Sequence, residues 1–194
     1  MYVAMVSLGC AKNLIDSEVM INILKNDKYE VIADPDLADV IIINTCGFIE
    51  KAKQESIDTI IQMGQYKEYG KCKVLIAAGC LSERYKDELL DEMPELDAVI
   101  GTGDYKSISE VIEQTLKGRK ISMHDNQEKV DIDTLDRYVS TERHTAYLKI
   151  AEGCDNRCTY CIIPSLRGKY RSRKLEEIIN EAEALASNGT KELI

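Results

Sequence analysis

No stretch of this sequence approaches the roughly 18 consecutive apolar residues that a membrane span needs, so no membrane role is expected. The amino terminus, MYVAMVSLGC, lacks the basic lead of a secretory signal and reads as a strand running into a glycine turn. The expected setting is therefore cytoplasmic, where thiols stay reduced and clustered cysteines point to metal or redox chemistry more than to disulfides. Seven cysteines, an odd number, also fit a disulfide framework poorly. Positive charge is in short supply: 25 Lys and Arg stand against 34 Asp and Glu, a net charge of −9. Such a surface repels phosphate backbones, which disfavours general nucleic-acid binding and suits a basic protein partner. No internal repeat or low-complexity tract is apparent. What remains is an ordinary globular composition, 44% hydrophobic with 11 Gly and 3 Pro, enough to bury a core.

The first 117 residues alternate apolar runs with helical patterns. Strand-like runs at 2–8, 39–46, 73–80 and 98–102 are each followed by a helical spacing, at 16–26, 50–66, 82–93 and 104–118. The strands do not alternate polar with apolar residues, which predicts a parallel sheet covered on both faces and an α/β fold. From 119 to 143 the periodicity fails, and this charged segment reads as a linker or loose hairpin. A second αβ pattern starts at TAYLKIAEGC, continues with a helix over 174–189 closed by Asn188-Gly189, and reaches a strand start at TKELI. The expected organisation is an αβ domain over 1–118, a linker over 119–143 and the incomplete start of a second domain over 144–194.

Three cysteines occupy matching places. Cys10 ends the first strand, Cys46 the second and Cys80 the third, with Gly9, Gly47 and Gly79 beside them. The carboxyl ends of parallel strands share one edge, where ligand sites form, and glycine lets the backbone turn tightly there. Three thiols distant in sequence should converge. The competing reading is three small core residues. Cys72 shares none of this and reads as an incidental surface or strand-edge thiol.

A second trio, Cys154, Cys158 and Cys161, is spaced C-x3-C-x2-C with no fourth cysteine nearby. Thiolates so spaced are soft ligands for zinc or an iron–sulfur cluster. A structural zinc wants four ligands, and His144, across an apparent strand, is the only candidate for the fourth. Alternatively the vacancy is the purpose: a cubane held by three cysteines keeps one iron open for a cofactor.

Cys154-x3-Cys158-x-Tyr160-Cys161 resembles the signature of radical S-adenosylmethionine enzymes. The resemblance implies a 4Fe–4S cluster on these cysteines, S-adenosylmethionine on the open iron, Tyr160 near the adenine and an α/β barrel around them. With cysteines in SLGC, NTC and GC-Leu contexts ahead of it, the whole chain resembles the methylthiotransferase family. That implies a second 4Fe–4S cluster on Cys10, Cys46 and Cys80, taking part in sulfur delivery. SLGCAKNLIDSE, NTCGFIEKAKQESID and CTYCIIPSLRGKYRSR look most like the branch that methylthiolates the β-carbon of an aspartate in a small-subunit ribosomal protein. Ala11 and Lys174 stand where that branch usually has proline. The implied mechanism generates a radical at the second cluster, abstracts hydrogen from carbon and adds a methylated sulfur from the first. A sulfur donor and an electron donor such as flavodoxin or ferredoxin are implied partners. The alternatives are a tRNA adenosine methylthiotransferase, a non-catalytic zinc or iron–sulfur module, and an electron-transfer protein. The basic run Arg167, Lys169, Arg171, Arg173 and Lys174 has three readings: it positions cofactor or substrate, shapes the barrel mouth, or is merely solvated.

Overall fold

The computed structural model describes every residue except 126, 135 and 143, all within the segment read as a linker. Six parallel strands form one sheet: β1 (Tyr2–Ser7), β2 (Glu30–Ile32), β3 (Val40–Thr45), β4 (Val74–Gly79), β5 (Ala98–Ile100) and β6 (Ile121–Met123), in the order β2-β1-β3-β4-β5-β6. The two central strands, β3 and β4, are buried at every position, which is why their sequences run apolar without alternation. Successive residues still face opposite ways. Ile42 and Ile76 pack beneath α1 (Ala11–Asn26) and α5 (Ile108–Leu116), while Ile41, Ile43 and Leu75 pack with α2 (Glu50–Gly64) and α4 (Asp87–Glu92).

The fold class follows the sequence, and several boundaries do not. Helix α1 begins at Ala11, five residues before the Asp16-Ser17 pair read as its start; both of those residues are buried. The single helix expected over 82–93 is two, α3 (Cys80–Tyr85) and α4, broken at Lys86, whose φ is +50°. Strands β2 and β6 are three-residue edge strands, too short to leave a period, and β6 falls inside the expected linker.

Beyond the sheet, the strand expected over 145–154 is two short pieces. β7 (Thr145–Ala146) pairs in parallel with β10 (Glu192–Leu193), and β8 (Ala151–Glu152) pairs antiparallel with β9 (Arg171–Ser172). Between β7 and β8, Lys149 turns inward, its Nζ 2.8 Å from Asp16 Oδ1. Helices α6 (Ile163–Arg167) and α7 (Leu175–Ser187) complete the chain, α6 packing against α3. No helix among the described residues is long and apolar enough to cross a membrane.

Candidate functional site

The register of the sheet fixes where the first three cysteines emerge. Ser7 lies opposite Asn44, Asn44 opposite Ala78, and Thr45 opposite Gly79. Cys46 and Cys80 therefore leave β3 and β4 at equivalent positions. Cys10 leaves β1 one residue later, as the N-cap of α1. All three stand at the carboxyl edge of neighbouring central strands. Cys46 and Cys80 are buried and Cys10 is exposed.

Two glycines make this edge possible. Gly9 has φ +88°, and a Cβ on it would stand 2.8 Å from Cys46 Cβ and 3.1 Å from its Sγ. Only a residue without a side chain lets the β1 turn lie against Cys46. Gly79 has φ +92° and ψ −150°, and its Cβ would stand 2.2 Å from Asn44 Oδ1. This conformation is essentially restricted to glycine.

Asn13, in the first turn of α1, ties the three strand ends together. Its Nδ2 donates to the carbonyls of Leu8 (3.1 Å) and Thr45 (2.8 Å), and its Oδ1 accepts from Cys80 Sγ at 3.6 Å. The Cys46 backbone is held in turn by Ser56, whose hydroxyl accepts from the Cys46 N–H at 2.9 Å and donates to its carbonyl at 3.0 Å. Burial pushes the Cys80 thiol up, and the nearby charge of Arg167 acts in the opposite direction.

The second trio follows β8. Cys154 donates its N–H to the Gly168 carbonyl (3.1 Å), and Cys161 donates to the Cys158 carbonyl (3.0 Å). Cys154 and Cys161 are half-buried, Cys158 is exposed, and Tyr160 is 90% exposed. Helix α6 starts two residues after Cys161 and rests on α3, which starts at Cys80, so the packing of these helices brings the two motifs near each other. The Leu166 carbonyl on α6 also accepts from Thr102 Oγ1 after β5.

Among the described residues, no group of three or more His, Cys, Asp or Glu side chains is gathered to hold a metal ion. His144, the candidate fourth zinc ligand, is exposed and sits beside Glu142. Cys72 is not a surface thiol: it is 6% exposed, donates to the Val74 carbonyl at 3.3 Å, and burial pushes it up to about 11.

The merely solvated reading of the basic run fails for two of its arginines. Arg167 and Arg173 are each 4% exposed. Arg173 pairs with Glu181 of α7, while Arg167 joins Asp16, Lys149 and Glu152 in a buried ion network. Sequence reasoning missed this network and Asn13. The available signal was the spacing of Asn13, Asp16 and Ser17, three polar residues at i, i+3 and i+4 on the face of α1 that must meet the core.

Residues 2–101 match the family described as Uncharacterized protein family UPF0004, and residues 148–194 match the Radical SAM superfamily, a description that implies S-adenosylmethionine and iron–sulfur chemistry in general. Curated proteins named ribosomal protein uS12 methylthiotransferase RimO are similar over nearly the whole chain. The one from Clostridioides difficile (strain 630) is 55% identical over 192 residues, covering 99% of this chain and 43% of that protein. The one from Thermoanaerobacter sp. (strain X514) is 56% identical over 192 residues, covering 99% and 44%. The one from Acetivibrio thermocellus is 54% identical over 200 residues, again covering 99% and 44%. The chain thus spans less than half the length of these relatives. It belongs to the UPF0004 family, carries a Radical SAM segment behind that family's region, and is similar throughout to RimO methylthiotransferases.

Proposed function

We propose that this chain acts as a radical S-adenosylmethionine methylthiotransferase on ribosomal protein uS12, adding a methylthio group to the β-carbon of an aspartate. The observation that carries the reading is the placement of Cys10, Cys46 and Cys80 at the ends of three adjacent parallel strands, two of them in exact register. The names of the relatives and the Radical SAM match support it. In this reading residues 1–118 and 144–194 are two functional units joined by 119–143, the sixth strand lying at the border.

The donor chemistry fits two iron–sulfur clusters. Each trio offers three soft thiols, and the turns at Gly9 and Gly79 keep side-chain bulk away from the first trio. Cys10, Cys46 and Cys80 would hold one 4Fe–4S cluster. Cys154, Cys158 and Cys161 would hold another, with S-adenosylmethionine on its open iron and the exposed Tyr160 available to the adenine. When bound, these groups supply the one-electron chemistry that replaces a carbon-bound hydrogen with a methylthio group. The chain's own work is to position them. Asn13 and Ser56 hold the backbone at Leu8, Thr45 and Cys46, and the α3–α6 contact holds the helix after Cys161 against the helix that begins at Cys80. An electron donor such as flavodoxin or ferredoxin and a sulfur donor would serve the site in the cytoplasm, where the ribosome is found. The chain's net charge of −9 favours encounter with a basic ribosomal protein.

Mass spectrometry of ribosomal proteins and tRNA from cells lacking the gene tests the assignment. Loss of the methylthio mass from uS12, restored by the intact gene, is expected. Loss from tRNA adenosine with uS12 unchanged would move the substrate to RNA. Stoichiometric zinc in anaerobically prepared protein would replace the cluster reading altogether.

A further inference from the structure

Four ionised side chains lie buried together where α1, α6 and β8 meet: Asp16, Lys149, Glu152 and Arg167, each no more than 5% exposed. Their formal charges cancel. Asp16 takes Lys149 at 2.8 Å through one oxygen and Arg167 Nη1 at 2.6 Å through the other, and Glu152 takes the same two partners at 2.7 and 3.3 Å. Lys12, half-exposed, stands 3.4 Å from Glu152 and adds one positive charge. The region is thus one positive charge in excess before any thiolate is counted.

Both carboxylates engage the Nη1 end of Arg167. Its Nη2 donates instead to Asn13 Oδ1, the oxygen that also accepts from Cys80 Sγ. Asn13 in turn binds the backbone beside Gly9 and Cys46. A guanidinium from the segment carrying the second cysteine trio is therefore part of the wall of the first.

We infer that Arg167 is a positioning residue for the first trio. Anchored by Asp16 and Glu152, it fixes Asn13 and Cys80 and places a permanent buried positive charge beside a cluster held by Cys10, Cys46 and Cys80. The inference rests on the proposed ligation of that cluster. A guanidinium cannot lose its charge in a protein, and in a poorly solvated site it is only weakly screened. Net charge and hydrogen bonding near the sulfurs set cluster potentials, so Arg167 favours the reduced form. Arg84 offers a contrast: it donates to the Gly47 carbonyl at 2.9 Å from an exposed position, where water screens it.

The test uses the full-length protein with Cys154, Cys158 and Cys161 changed to Ala, so that only the N-terminal cluster can load. Its midpoint potential is followed by electron paramagnetic resonance during dithionite titration, with iron content measured in parallel. Arg167→Gln is expected to shift the one-electron equilibrium at least tenfold toward the oxidised form, about 59 mV downward. Arg167→Lys keeps the charge and stays near the parent, and Arg84→Gln moves the potential less than Arg167→Gln does. Arg167→Gln alone leaves buried carboxylates under-compensated, so Arg167→Gln/Asp16→Asn removes the pair together. The Nη2 end of Arg167 reaches Asn13 and, through it, Cys80, whereas Asp16 holds the Nη1 end, so the double variant should also shift downward, or lose its iron while remaining folded by circular dichroism. A fully loaded double variant at the parent potential overturns the inference and leaves the ligation standing. A parent that takes up no iron overturns the ligation, and the inference with it.

Discussion

Replacing Gly79 with alanine should destabilise the chain severely, for reasons that can be separated by a control. At φ +92° and ψ −150° the backbone conformation alone costs a residue with a Cβ about 1–3 kcal/mol. The added methyl would also stand 2.2 Å from Asn44 Oδ1 and 2.9 Å from the Thr45 carbonyl oxygen, so Asn44 must move. Its amide donates to the Asn13 carbonyl at 2.7 Å and to Ser17 Oγ at 2.9 Å, both buried. Losing the two hydrogen bonds adds about 1 kcal/mol each, for a total of about 3–5 kcal/mol. Gly118 supplies the control, because its φ is +81° and a Cβ there meets nothing within 4 Å. Gly118→Ala should carry only the conformational part, about 1 kcal/mol. Urea unfolding of the iron-free chain, followed by far-ultraviolet circular dichroism, reads both. With a slope of about 2 kcal/mol per molar urea, the two midpoints should lie about 1–2 M apart. Coincident midpoints would refute the claim that the close approach of β3 and β4 at the cysteine edge requires glycine.

In the proposed reaction, Cys158→Ala should abolish cleavage of S-adenosylmethionine, whereas Cys46→Ala should permit cleavage yet stop methylthiolation, with iron content measured alongside. Methylthiolation surviving in the second variant would remove the N-terminal trio from the mechanism. Burial alone would raise the Glu152 carboxyl, but Arg167, Lys149 and Lys12 hold it at about 2, down from 4.5. Because the folded value is the lower one, its stabilisation is present above about pH 4.5 and is lost as pH falls through about 2, some 3 kcal/mol at about 1.4 kcal/mol per pH unit. Unfolding free energies between pH 5 and 2 should fall less steeply in Glu152→Gln than in the parent, and parallel curves would contradict this. Buried Cys72, with its thiol pushed up to about 11, should resist an aromatic disulfide reagent at about pH 8 in the native chain while exposed Cys158 reacts quickly; equal rates would show that the β4 edge opens.

The sheet was legible because its central strands are apolar at nearly every position, as in VIIINT and VLIAAG. The places of the cysteines followed from the same pattern, since a strand end marks an edge. Helix starts were less legible. Asp16-Ser17 has the chemistry of a helix cap, yet it lies within α1 because Lys149 and Arg167, more than 130 residues away along the chain, give Asp16 its partners. A long-range ion pair leaves no local period. The same applies to Arg167 and Arg173: adjacent positive charges look solvated until the carboxylates that bury them are known. Strands β2 and β6 escaped for a simpler reason, three residues being too few to show a pattern.

The shared carboxylate of Asp16 also bears on how the two halves of such a chain can change over time. Grafting the front sheet of one homologue onto the Radical SAM segment of another would strand a negative side chain in the seam unless its guanidinium mate travelled with it. Recombination at this junction should therefore succeed as a matched set of α1 and the turn after Cys161, and fail when either is exchanged alone.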